Sequence, residues 1–170
     1  MHMKARQETK LNIIVSTYHK EIAQSLTDGA KRELFDAGYD ESQITVTECS
    51  GAFELPAVAA KALSLGHWNG VLCLGCIIKG ETPHFDVISN SVAQCLCSLS
   101  MDQLTPLSFG LLTTNTVAEA HARAGLQSID KNASIENNLE KKPVENKGIE
   151  SARALIQSLD AFDQLERQCH

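Results

Sequence analysis

The sequence predicts a three-layer α/β fold, a four-stranded parallel sheet flanked by helices. Three observations carry this. Short apolar runs alternate along the chain with segments of helical period, the order that builds parallel strands joined by crossing helices. One run, Val71 to Ile78 (VLCLGCII), is apolar throughout with no alternation, as a central strand covered on both faces is. The 170 residues supply one sizeable core and not two.

Residues 1–10 are polar and form an N-terminal arm, leaving 11–170 as a single domain. Leu11 to Val15 (LNIIV) is rich in β-branched residues and reads as the first strand. From His19 the period changes: Ile22, Leu26, Ala30 and Leu34 recur every fourth residue on one helix face. Gly38 can take the positive φ that ends a helix. Ile44 to Thr47 (ITVT) alternates and reads as the second strand.

Pro56 sits where a first helical turn tolerates it, and Ala57 to Leu65 forms a helix stopped by Gly66. After the third strand, Val71 to Ile78, and a polar turn over 79–83, Ile88, Val92, Cys95 and Leu99 mark another helix face. Pro106 to Leu112 (PLSFGLL) is the fourth strand, and Val117 to Ala124 a short helix. Ile149, Ala152, Ile156 and Leu159 mark the C-terminal helix. The stretch 126–145, between those last two helices, holds four acids and three lysines among Asn and Ser. It reads as an inserted mobile loop, unusually long for a compact domain.

The net charge of −6 argues against sequence-independent nucleic-acid binding and against a polybasic membrane anchor. The composition, 43% hydrophobic and 21% charged, is that of a globular chain. No apolar run is long enough to cross a bilayer. The first ten residues carry no apolar segment of signal type, so the six cysteines read as reduced thiols and the expected location is the cytoplasm. Cys73 and Cys76 form a CxxC, but inside an apolar run rather than at an accessible helix start. No second Cys/His pair has metal spacing, so no metal is expected. Cys95 and Cys97 are expected as core filler.

Three segments can carry chemistry, each expected at the C-terminal end of a strand, where open α/β sheets bind ligands. In Ser50 to Pro56 (SGAFELP), Gly51 and Ala52 let backbone approach a flat ligand, and Glu54 can accept hydroxyl hydrogen bonds. An ordinary strand-to-helix turn with a solvated Glu fits the same residues. In Lys79 to Asp86 (KGETPHFD), a helix start offers N–H groups to an anion, and His84 can move protons near neutral pH. A histidine taken alone is more often structural. The third segment is Phe109 to Thr114 (FGLLTT), followed by Arg123. Arg123 can grip a phosphate with its planar fork, or simply sit solvated at a helix end.

In this order the segments resemble the 6,7-dimethyl-8-ribityllumazine synthase family. The matching pieces are GAFELP, the GxTxHF pattern within KGETPHFD, SFGLLT, the RAG at 123–125 and NKGIE at 146–150. The resemblance runs from about Asn12 to the C-terminal helix and is interrupted at 126–145. It implies a flavodoxin-like fold and a transferase of riboflavin biosynthesis. That enzyme condenses 5-amino-6-(D-ribitylamino)uracil with 3,4-dihydroxy-2-butanone 4-phosphate, releasing phosphate, with no metal and no organic cofactor. It also implies homopentamers whose active sites are shared between subunits.

By the resemblance, Tyr18 stacks on the pyrimidine. Ala52, Phe53 and Glu54 hold the ring and the ribityl hydroxyls. Cys76, Ile77 and Ile78 line that pocket at a strand end. Gly80, Glu81 and Thr82 form the phosphate turn, and His84 transfers protons. Phe109 of a neighbouring subunit covers the pyrimidine. Arg123 and Lys147 bind phosphate, with Glu150 paired to Lys147. The chain departs from the family pattern in carrying Lys79 where Arg is common, His19 where Asn often follows the aromatic residue, and Tyr18 for Phe or Trp. The insertion is expected to block packing into sixty-subunit shells and leave a pentamer or a dimer of pentamers. Other readings of the same residues are a non-catalytic lumazine or flavin carrier, an enzyme dismutating lumazine to riboflavin, and a flavodoxin-like electron carrier.

Overall fold

A computed structural model describes residues 8–126 and 146–168. Residues 1–7 of the expected arm and all of the expected insertion except Leu126 lie outside the described residues.

Four parallel strands pair in the order β2-β1-β3-β4. They are β1 (Leu11–Ser16), β2 (Ile44–Cys49), β3 (Gly70–Ile78) and β4 (Leu107–Thr114). Between and after them run α1 (Lys20–Asp36), α2 (Leu55–Ser64), α3 (His84–Gln103), α4 (Val117–Arg123) and α5 (Lys147–Gln168). Among the described residues no helix is long and apolar enough to cross a membrane.

The two-residue period of a strand sorts the sheet's side chains into two cores. Leu72, Leu74 and Cys76 of β3 join Leu11, Ile13 and Val15 of β1 against α1, α4 and α5. Val71, Cys73 and Ile77 join Ile14 on the other face, against α2 and α3. The lack of alternation in β3 is thus the mark of a strand buried twice. The expected face of α1 is the buried one, with Leu26, Ala30 and Leu34 fully covered and Ile22 at 2% exposure. Gly38 and Gly66 end α1 and α2 with φ of +90° and +69°.

α3 departs from expectation. Only Val92 and Leu96 are buried along it, flanked by the half-buried Phe85, Ile88 and Leu99. Cys95 and Cys97 are both exposed and are not core filler. The helix touches the sheet along one narrow stripe; Cys95 falls just outside it and Cys97 on the far side. Val87 and Met101 of α3, and Leu104 after it, are 62%, 63% and 78% exposed.

Topology marks one edge of the sheet. β1 leads to β2 on one side, while β3 and β4 continue on the other. The strand order therefore reverses between β1 and β3, and the carboxyl ends of these two strands flank a ligand crevice in such sheets.

Candidate active site

At the crest of β1, Thr17 donates its N–H and its hydroxyl to the Cys49 carbonyl, at 2.9 and 3.2 Å. This ties the ends of β1 and β2 together and leaves Tyr18 76% exposed above them. The Tyr18 ring stands edge-on to His19, with centroids 5.0 Å apart and planes at 80°. Burial lowers the His19 pKa from its usual 6.5, which favours the neutral imidazole.

After β2 the chain makes one 3₁₀ turn, Ala52–Glu54. Leu55 is fully buried in the core at the start of α2 and anchors that turn. Phe53 is 64% exposed and Glu54 is exposed. A Cβ at Gly51 would lie 2.7 Å from Glu54 Oε2, so the carboxylate folds back over Gly51. Burial first, then the Glu54 charge, pushes the Cys49 thiol up to about 11.

β3 delivers the third piece. The side chains of Cys76 and Ile77 enter the two cores, so what this strand end offers a ligand is backbone. The Lys79 N–H donates to the Thr114 carbonyl at 2.9 Å. Gly80, Glu81 and Thr82 follow, exposed, and Pro83 opens α3 with His84 as its first, exposed residue. A Cβ at Gly80 would meet no atom of the described residues within 4 Å, so nothing among them calls for glycine there. The first N–H groups of α3 have no carbonyl partner within the helix, and its positive dipole end faces the same turn.

A second group forms where α4 ends and α5 begins. Glu150 Oε2 lies 3.2 Å from Lys147 Nζ and 3.7 Å from Arg123 Nη2. RAG and NKGIE, far apart in sequence, therefore meet. Asn146, which sequence reasoning did not single out, closes the junction. Its Oδ1 accepts from the N–H groups of Gly148 and Ile149, at 2.8 and 3.3 Å. Its Nδ2 donates to the carbonyls of Ala124 and Ser25, at 2.7 and 3.1 Å. The signal was present: Asn before a helix start is a preferred cap.

Phe109 is not at a strand's C-terminal end. It is the third residue of β4, paired with Cys73 in mid-sheet, about 16 Å below the crest at the usual rise per residue. It is 39% exposed and on its own chain stands apart from the crest residues. The FGLLTT segment is most of the strand itself, and only Thr113 and Thr114 reach the edge. The CxxC is chemically quiet, because burial pushes Cys73 to about 12 and Cys76 to about 11. Among the described residues, no group of three His, Cys, Asp or Glu is placed to hold a metal ion.

Surface grooves of about 540, 420 and 340 Å³ contain none of these predicted site residues. On one chain Tyr18, Phe53, Glu54, Gly80 to Thr82 and His84 are exposed at the crest, and Arg123, Lys147 and Glu150 group at the junction of α4 and α5.

The fold defines a doubly wound α/β protein, with exposed segments following the carboxyl ends of β1, β2 and β3 at its topological switch point. The sequence model for 6,7-dimethyl-8-ribityllumazine synthase matches residues 8–163. A protein of that name from Chlorobium limicola is 41% identical over 125 residues, 74% of this chain and 81% of that one. Another from Chlorobaculum tepidum is 35% identical over 156 residues, 92% of this chain and 90% of that one. A third, from Nitratidesulfovibrio vulgaris, is 33% identical over the same length and the same shares. The chain belongs to the 6,7-dimethyl-8-ribityllumazine synthase family.

Proposed function

We propose that the crest site condenses 5-amino-6-(D-ribitylamino)uracil with 3,4-dihydroxy-2-butanone 4-phosphate, the reaction of the family to which the chain belongs. The observation that supports the assignment of roles is the exposed Gly80–Thr82 turn before α3, beside the gathering of Arg123 and Lys147 around Glu150.

The amine of the pyrimidine attacks the ketone, and loss of water gives a Schiff base. Elimination of phosphate follows, and ring closure expels a second water. No nucleophilic side chain is needed. Holding two substrates together removes much of the entropy of encounter. Tyr18 and Phe53 present exposed faces on which a planar ring can stack. Glu54 and the backbone at 52–54 take the ribityl hydroxyls. His84, exposed beside the anion turn, carries protons between steps. The Gly80–Thr82 turn and Arg123 with Lys147 stabilise phosphate as it departs.

The site is completed by a neighbouring subunit, and Phe109 is the neighbour's contribution. Its place in mid-sheet, its exposure and the exposed apolar side chains along α3 support this, because monomers rarely leave such patches bare. The assembly is a homopentamer, or two joined, in the cytoplasm.

The test is acceleration of lumazine formation over the spontaneous reaction, followed by product fluorescence. His84→Ala and Phe109→Ala chains, each impaired, are then mixed and reassembled. Shared sites regenerate wild-type geometry in about a quarter of positions by random pairing. No regain on mixing sinks the shared site. Product binding without any acceleration turns the reading toward a carrier.

A further inference from the structure

We propose that Asn146 is a positioning residue that sets the phosphate-facing cations through the Ala124 carbonyl and the first turn of α5. The proposal rests on the roles given above to Arg123 and Lys147.

Asn146 is 8% exposed, and each half of its amide has two partners. Both N–H groups it accepts from lie in the first turn of α5, and both carbonyls it donates to lie on other segments. This pattern admits only one orientation of the amide. Ser25 supports the same carbonyl, its hydroxyl donating to Ala124 O at 2.6 Å. Arg123 immediately precedes that carbonyl's residue, and Lys147 immediately follows the asparagine. One side chain therefore pins the backbone at both cations, across the 127–145 stretch that separates them in sequence.

The fit leaves no slack. A Cβ at Gly29 would lie 2.4 Å from Asn146 Oδ1, and one at Gly148 would lie 1.9 Å from the Leu26 carbonyl oxygen and 2.9 Å from the same Oδ1. Glycines on two helices make the slot that the amide occupies. Asn146 touches no reacting atom; it acts by fixing where two cations start. Displacements of this kind at a charged site cost large factors in binding and rate.

The experiment uses the full-length assembled enzyme and inorganic phosphate as inhibitor. Asn146→Ser keeps an oxygen that can cap α5, adds no charge, and is too short to donate to the Ala124 and Ser25 carbonyls. The expected result is an inhibition constant for phosphate raised about tenfold, with the KM for the pyrimidine substrate unchanged. In the Arg123→Ala background the same change adds less than about twofold, as coupled residues do. Ser25→Ala, a milder loss at the same carbonyl, shifts the phosphate constant in the same direction and serves if Asn146→Ser does not assemble. An unchanged phosphate constant in these variants, while Arg123→Ala raises it, overturns the positioning role alone. So does a fall in melting temperature and active fraction with both constants intact. An unchanged constant in Arg123→Ala overturns the phosphate reading itself, and the proposal with it.

Discussion

Arg123 and Glu150 face each other across the junction of α4 and α5, with Nη2 and Oε2 3.7 Å apart. The same oxygen holds Lys147 at 3.2 Å, so one carboxylate serves two cations. Both partners of the longer pair are about two-fifths exposed, so solvent screens it and it contributes little to stability. In the proposed function the group balances the charge of an incoming anion.

Glu150→Gln tests this. Removing the carboxylate raises the local positive charge by one unit. Inorganic phosphate should then inhibit at about fivefold lower concentration in low salt, and the gain should shrink as ionic strength rises. The unfolding free energy should change by less than about 1 kcal/mol. Weaker phosphate inhibition in the variant would show that orientation of the two cations outweighs their charge.

His84→Ala separates catalysis from folding. The side chain is exposed at the first position of α3, so its loss removes no core contact. Turnover should fall by about 10²-fold, while thermal unfolding stays within about 0.5 kcal/mol of the parent. A variant with full turnover would leave proton transfer to solvent.

Two glycines make opposite predictions. Gly148→Ala places a Cβ 1.9 Å from a backbone carbonyl oxygen, which no rotamer change can relieve. It should cost about 3 kcal/mol or more in denaturant unfolding. Gly80→Ala meets nothing within 4 Å and should leave stability unchanged, yet it narrows the turn proposed to hold phosphate. The KM for the four-carbon phosphate should therefore rise several-fold, about a factor of 5 for 1 kcal/mol. An unaffected KM would remove Gly80 from the site.

Alkaline pH tests the buried thiols. Burial raises the Cys73 pKa from 9.0 to about 12 in the folded chain. Below pH 9 the thiol is protonated in both states and its contribution is intact. Above pH 9 the unfolded state ionises while the folded one does not, so stability is lost as pH climbs toward 12. Denaturant unfolding at pH 8 and pH 10.5 should show a steeper alkaline loss in the parent than in Cys73→Ala, by on the order of 1 kcal/mol. Equal slopes would mean that Cys73 ionises in the fold.

Much of the fold was readable because local period and burial agree. Ile22, Leu26, Ala30 and Leu34 repeat as one helix face and are the buried face of α1. β3 reads as apolar throughout because α1 and α5 cover one side and α2 and α3 the other. Cys95 was misread because a helical stripe has an edge, and the width of that stripe depends on how closely α3 meets the sheet. The crest motifs were readable as groups, since each is a short continuous segment after a strand. Phe109 was misplaced because its motif is the strand itself, and sequence does not say how far below the crest a strand residue lies.

Chain order and hydrophobic period, both local properties, were enough for four parallel strands, for the helices between them and for the motifs at 51–56 and 79–86. The junction of RAG with NKGIE was decided only by the tertiary structure. Asn146 and Gly148, Ser25 and Gly29, and Ala124 lie on three segments, and their fit is a matter of close packing in space: a slot one amide wide, in which each polar atom finds a partner only when all three segments are in place.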